Sequence, residues 1–260
     1  MPTFLFDDVV FGPVQSRRLG TSLGINLISP TAKICNFDCI YCECGWTDKG
    51  NTPIKFVEKS DTLRKLEDKL KATANKLQFI DYITFAGNGE PTLHPQFEKI
   101  IVEVSALRNK WMPKAKIAVL SNATTLKKES VLRALEEVDE RILKLDAGTE
   151  QTFQLLNKPL GRMSLSKIYD DLKSGLFNGD FKIQSMFLKG TVNGKSVDNT
   201  LDSELKEWTE KLIEIKPKEV MLYSIDRDTP VDTLERVSKL DLKRIAYTLD
   251  GLGISSTISV

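Results

Sequence analysis

Four cysteines, Cys35, Cys39, Cys42 and Cys44, fall within one short stretch of a 260-residue chain that has no others. A secreted scaffold is usually small and spreads its cysteines to staple distant segments. A cluster this tight in a long chain points instead to metal held in a reducing compartment. The single histidine, His94, lies about fifty residues further on, so chemistry needing two His ligands or a His pair is excluded. A structural zinc site takes four ligands, commonly as two separated pairs, and Cys42 and Cys44 are too close together for that pairing. Iron–sulfur clusters take thiolates at short spacings. Cys-x3-Cys-x2-Cys would give three thiolates to a cubane and leave one iron open, as a catalytic centre requires. A ferredoxin-like electron-transfer cluster and a zinc knuckle are the competing readings.

The remaining composition is that of an ordinary folded protein, with 41% hydrophobic and 28% charged residues, 15 Gly and 10 Pro. It excludes a disordered or collagen-like chain. No apolar run approaches the ~20 residues needed to span a bilayer, so no membrane partner is expected. The first twelve residues carry Asp7 and Asp8 and lack a basic-then-apolar pattern, which argues against a secretory signal and for a cytoplasmic location. With 37 Lys+Arg against 36 Asp+Glu, net charge +1, there is no overall bias toward nucleic acid.

Hydrophobic periodicity supplies the elements that must position these thiols. A strand over 23–28 leads into the cysteine loop. A helix over 61–77 repeats Leu63, Leu66, Leu70 and Ala74 at spacings of three and four, with Ser60 as N-cap. Further strands are expected over 82–86, 116–120, 141–146, 182–188 and 219–223. Helices are expected over 95–107, 127–135, 150–156, 164–176, 203–215 and 239–249. Such alternation means parallel βαβ units. A full eight-fold barrel takes about 250 residues, and leader, cysteine loop and tail use part of the length here. The expectation is an α/β chain forming a partial (β/α)6 TIM-like barrel. It would be one domain over 1–260, with a leader over 1–22 and a cysteine loop region over 29–60.

In parallel barrels chemistry sits at the C-terminal ends of the strands, and polar residues gather there. Asn88, Gly89 and Glu90 follow the second strand; the glycine lets backbone approach a ligand and Glu90 offers a carboxylate to an ammonium. An ordinary βα turn is the plainer reading. Ser121 and Asn122 end the third strand as hydrogen-bond donors or as turn residues. Lys144 and Asp146 end the fourth strand on one face, where a charged pair is costly unless bound or mutually paired. On the fifth strand Gln184, Met186 and Leu188 share one face, Ser185 and Phe187 the other. Tyr223 ends the sixth, followed by Arg227, an anion binder or a surface ion pair. His94 is read as a surface or capping residue, and Cys44 as an inert thiol.

The run Cys35-Asn36-Phe37-Asp38-Cys39-Ile40-Tyr41-Cys42 resembles the signature of the radical S-adenosylmethionine (SAM) superfamily, down to the aromatic Tyr41 before the third cysteine. Asn88-Gly89-Glu90 is similar to that superfamily's Gly-Gly-Glu motif, with Asn88 at the first glycine. The resemblance implies a partial barrel and two cofactors, a [4Fe–4S] cluster on Cys35, Cys39 and Cys42 and SAM on the fourth iron. It implies reductive cleavage of SAM to a 5′-deoxyadenosyl radical that abstracts hydrogen from a substrate, an oxidoreductase or lyase type of activity. By the same resemblance Tyr41, Asn88, Gly89, Glu90, Ser121, Asn122, Lys144, Asp146 and Tyr223 line the SAM site. An external electron donor of flavodoxin or ferredoxin type is implied as partner.

The segment from Gly12 to Gly20, with Leu145-Asp146-Ala147-Gly148 and Leu222 to Arg227, looks like the branch related to the wyosine-forming tRNA enzymes. That likeness runs over nearly the whole chain. No cysteine precedes Cys35, so the second cluster of those enzymes is not expected. The substrate is left as RNA or as a peptide or partner protein. RNA would need basic surface, for which Arg108, Lys110, Lys114 and Lys116, and Lys127 with Lys128, are candidates; solvated helix faces are the plainer reading. A non-catalytic electron carrier is disfavoured because it has no use for Gly89-Glu90 or for Lys144 and Asp146.

Overall fold

The computed structural model describes residues 4–47 and 55–259. Its internal contacts group Leu5–Cys35 with Thr47–Arg141, here the first unit, and Met1–Phe4 and Asn36–Trp46 with Ile142–Val260, the second.

The first unit holds strands β1 (Val10–Ser16), β2 (Gly20–Ile25), β3 (Tyr82–Phe85) and β4 (Lys116–Ser121) in that order. β1 lies antiparallel to β2; β2, β3 and β4 are parallel. The register aligns Leu23, Ile83 and Ile117 in one row and Ile25, Phe85 and Val119 in another, all fully buried. Helices α1 (Lys59–Asn75), α2 (Phe97–Trp111) and α3 (Glu129–Glu136) belong to this unit. The rings of Phe85 and Phe97 meet edge-on at 6.0 Å, so that face of the sheet packs on α2. Truncating such a residue, Ile83 to Ala for instance, costs about 2–5 kcal/mol. On the opposite face the Ser22 and Thr84 hydroxyls lie 2.7 Å apart. A Cβ on Gly24 would stand 2.0 Å from the Phe11 ring. The glycine therefore seats Phe11, on which Phe6 stacks at 3.8 Å.

The second unit holds β5 (Glu140–Lys144, entering from the first), β6 (Lys182–Val192), β8 (Glu219–Ser224) and β10 (Ser256–Ser259), with β7 (Lys195–Asp198) and β9 (Leu234–Arg236) flanking β6. The β5–β6, β6–β8 and β8–β10 pairs are parallel. Past Phe187, β6 outruns β8 and pairs antiparallel with β7 and β9 instead. Helices α4 (Glu150–Leu156), α5 (Leu165–Leu172), α6 (Asp202–Ile215) and α7 (Lys239–Gly251) complete it. Thr149, Ser164 and Ser238 cap α4, α5 and α7 with their hydroxyls. Phe187 meets Trp208 of α6 edge-on at 5.2 Å, which turns the Ser185–Phe187 face of β6 toward α6 and Gln184, Met186 and Leu188 away from it.

The structure differs from the sequence expectation at several boundaries. α1 begins at Lys59, and its N-cap is Glu58 without a side-chain bond rather than Ser60. Val57 is already fixed there, its N–H on Ile28 O at 2.9 Å, and the helix starts from that anchor. The first strand leaves its ladder after Ile25, because the Asn26 side chain takes the Ile28 and Asn88 N–H groups. The helix expected over 164–176 stops at Leu172, and Gly175 turns the chain at φ +82°. β1, β7, β9 and β10 were not anticipated. β1 is interrupted by a bulge after Phe11, and the others have only three or four residues. Among the described residues no helix is long and apolar enough to cross a membrane.

Candidate functional site

In the first unit, the turn after β3 is tied to the residue before Cys35. Ile34 N–H bonds to Asn88 O at 2.9 Å and Glu90 N–H to Ile34 O at 3.1 Å, a short parallel bridge. Asn88 is buried; its amide accepts from Phe6 N–H and donates to the carbonyls of Phe6 and Ser29. Glu90 is buried as well. One oxygen accepts from Thr92 N–H (3.2 Å), Thr92 Oγ1 (2.6 Å) and Ser121 Oγ (2.8 Å), the other from Asn122 N–H (2.7 Å). Burial raises its pKa above the usual carboxylate value, and these hydrogen bonds pull it back only in part. The acid that the sequence offered to a ligand ammonium thus also locks the end of β4 to the Gly89 turn. Asn122 turns its Nδ2 toward Cys35 Sγ at 3.7 Å.

His94 is buried rather than at the surface. Its Nδ1 accepts the Gln96 N–H, which leaves Nε2 as the donor to Val57 O at 2.9 Å. Burial lowers its pKa. Three of the basic residues considered for RNA each meet a carboxylate: Arg108 meets Asp139, Lys110 meets Glu67, and Lys116 meets Glu140.

The second unit carries a connected polar network. Lys144 Nζ lies 3.4 Å from Asp146 Oδ2 and donates to Tyr41 Oη at 3.0 Å and Tyr223 Oη at 3.4 Å. Tyr41 donates to Asp146 Oδ2, and Met186 N–H takes Oδ1 at 2.8 Å. Burial works against the Lys144 ammonium, but Asp146, Tyr223 and Cys39 together outweigh it and hold the pKa above the usual lysine value. Burial, then the Asp146 charge, raises the Tyr41 phenol well above its ordinary value. Burial also raises the Cys39 thiol, with Lys144 opposing.

Sequence reading missed three residues of this network. Asn157, at the C-terminus of α4, donates to Asp146 Oδ2 at 2.8 Å, Tyr41 Oη at 3.3 Å and Cys39 Sγ at 3.5 Å. Asn199 donates to the carbonyls of Asp146 and Met186. Glu204 accepts from the backbone of Gly148 and Thr149 and from the hydroxyls of Thr149 and Thr152, which fixes the turn after Asp146. Nothing in their local pattern marks them; only the fold brings them to β5. Arg227 pairs with Glu43 at 2.6 Å, one of the two alternatives the sequence left open.

All four cysteines are thiols and none is in a disulfide. Among the described residues no group of three or more His, Cys, Asp and Glu could hold a single metal ion. The donor set does suit an iron–sulfur cluster. Thiolates are its ligands, and amide N–H groups directed at sulfur, as at Cys35 and Cys39, are the contacts such thiolates accept.

Residues 29–174 match the family model of the radical SAM superfamily. The chain belongs to the radical SAM superfamily. A UPF0026 protein of Helicobacter pylori is 31% identical over 253 residues, covering 95% of this chain and 75% of that one. A Brachyspira hyodysenteriae protein named GTPase Obg is 30% identical over 238 residues, covering 90% of this chain and 32% of that one, so the chain spans about a third of that relative. Among solved structures, a radical SAM methyltransferase from Sphaerobacter thermophilus superposes with a TM-score of 0.68 at 15% identity, over 91% of this chain and 65% of that one. The mixed α/β partial-barrel fold expected from the strand–helix alternation is therefore the fold of this radical SAM chain. The cofactors of the superfamily are a [4Fe–4S] cluster and SAM.

Proposed function

We propose that this chain is a hydrogen-abstracting radical SAM enzyme of the reducing cytoplasm, with Cys35, Cys39 and Cys42 as the three cluster ligands. The bridge between Ile34 and Gly89 is the observation that carries this reading, because it fastens the Gly89-Glu90 turn to the residue preceding the first ligand. When bound, the cluster supplies one electron for cleavage of the SAM sulfonium to methionine and a 5′-deoxyadenosyl radical. The other roles belong to side chains and backbone of this chain. The backbone of Asn88–Glu90 and the Glu90 carboxylate hold the SAM ammonium. Ser121 and Asn122 present hydrogen bonds at the end of β4. Lys144, Asp146 and Tyr223 receive the carboxylate and ribose, and Tyr41 keeps Lys144 and Asp146 in place. The electron comes from an external flavodoxin- or ferredoxin-type donor.

The test is anaerobic. Protein reconstituted with iron and sulfide, then given SAM and dithionite, is expected to release 5′-deoxyadenosine. Iron-loaded protein that binds SAM and leaves it intact under dithionite overturns the reading.

A further inference from the structure

The loop that carries Cys39 is gripped by the segment after α4. Asp38 N–H bonds to Lys158 O, Ile40 N–H to Leu156 O and Leu160 N–H to Asn36 O, each at about 3.0 Å or less. Phe37 and Pro159 form an antiparallel bridge in the same stretch. Asn157 sits in the middle of this grip, fully buried, with its side-chain amide against Cys39.

The amide's orientation follows from chemistry. Its nearest partner is an Asp146 oxygen at 2.8 Å, which also accepts the Tyr41 hydroxyl. A carboxylate oxygen accepts and does not donate. The group facing Asp146 and Cys39 is therefore the NH2 end. In the first unit the Asn122 amide repeats the arrangement toward Cys35, and its Oδ1 is held by Thr124 N–H at 3.1 Å and Thr124 Oγ1 at 2.7 Å. That again leaves the N–H end for sulfur.

We infer that Asn157 and Asn122 are positioning residues that set the potential at which the cluster accepts its electron, by donating N–H···S hydrogen bonds to Cys39 and Cys35. The inference rests on the ligand assignment proposed above. A hydrogen bond to a thiolate withdraws electron density from the sulfur. The reduced cluster carries one more negative charge, so it gains more from that donor than the oxidised one does. The amides therefore make reduction easier. Without them the chain would need a stronger reductant.

The experiment is an EPR-monitored redox titration of reconstituted wild type, Asn157→Ala and Asn122→Ala, with iron per chain and circular dichroism measured on the same samples. Each variant is expected to load iron and keep its fold while its midpoint potential moves negative. At a fixed poise near the wild-type midpoint, the ratio of reduced to oxidised cluster should fall about tenfold, equivalent to ~59 mV for one electron. Because the two asparagines stand in different elements, Asn122→Ala carries the test if Asn157→Ala does not fold. An iron-loaded variant with the wild-type potential overturns the inference. Wild-type protein that takes up no cluster overturns the ligand assignment instead, and the two failures are read from different measurements.

Discussion

A Cβ on Gly89 would stand 1.8 Å from the carbonyl oxygen of Ile34. No side chain fits there, and φ is +145°, a backbone conformation that L residues rarely adopt. Gly89→Ala must therefore break the bridge to Ile34. It is expected to cost at least ~2 kcal/mol in urea unfolding and to prevent stable cluster assembly on Cys35. A variant with wild-type stability would mean that the turn has somewhere else to go.

Glu90 holds Thr92, Ser121 and Asn122 and is proposed to meet SAM as well, so its substitution should show in two measurements. Glu90→Gln places an amide NH2 against donors that need an acceptor, at ~1–3 kcal/mol for each buried group left unsatisfied. It should lower Tm in the absence of ligand and weaken SAM binding about ten- to hundredfold in calorimetry. Lowered stability with unchanged SAM affinity would reduce Glu90 to a brace for Ser121 and Asn122.

Alanine at Cys35, Cys39 or Cys42 should each abolish the visible [4Fe–4S] absorbance and the release of 5′-deoxyadenosine. Cys44→Ala should keep both, since Cys44 lies outside the three-cysteine motif. The decisive measurement is iron per chain after anaerobic reconstitution. Iron lost from Cys44→Ala alone would remove the open site on which SAM binding depends.

Lys144 and Asp146 are paired but not equivalent. Asp146 has no exposed side-chain surface, while 16% of the Lys144 side chain reaches solvent. Asp146→Ala takes the countercharge from buried Lys144 and the acceptor from the Tyr41 hydroxyl and the Met186 N–H, and should cost about 3–5 kcal/mol. Lys144→Met leaves Asp146 with three donors and should cost less, ~1–3 kcal/mol. Both should slow 5′-deoxyadenosine formation, and folded Lys144→Met with the wild-type rate would take Lys144 out of the SAM site.

His94 gives stability a pH dependence of known sign. Its folded pKa is below the ordinary 6.5 because burial disfavours the imidazolium, which the Val57 carbonyl and Glu58 only partly offset. The unfolded chain binds the proton more readily, so stability rises with pH. This contribution is fully present above 6.5 and is lost as pH falls from there toward the folded pKa. Tm should decline between about pH 7 and 5, and His94→Gln should flatten that decline. Equal slopes in the two proteins would place the proton elsewhere.

The parts of the fold that repeat were legible in the sequence. α4 matches its expected span, and β3, β4, β5 and β8, each a largely apolar run bounded by polar turns, lie within two residues of theirs. The edges were not legible. β1 breaks its alternation at a bulge, and β10, Ser256–Ser259, has no apolar row to announce it. One signal was present and unused. Asn193 and Gly194 both take positive φ, as a two-residue hairpin turn requires, and they join β6 to β7. At the candidate site, the cysteines and Lys144 with Asp146 were visible as types at spacings. Asn157, Asn199 and Glu204 were invisible, because their value comes from segments that are distant in sequence, as the separation of 118 between Asn157 and Cys39 illustrates.

β6 changes partners near Leu188, and the side chain of Asn199 sits at the changeover. It takes the Leu188 N–H and gives its own hydrogens to Met186 O and Asp146 O. Gly190, two residues on, is pressed to within 2.4 Å, at the Cβ it lacks, of Thr233 O beside β9. The outer hairpin is therefore tied at its base, through Asn199, to Leu188, Met186 and Asp146. Whatever leans on the tip at Asn193 and Gly194 loads a stiff lever whose inner end is bolted to the main chain of Asp146. Tilting it means giving up those three bonds, at ~0.5–1.5 kcal/mol each.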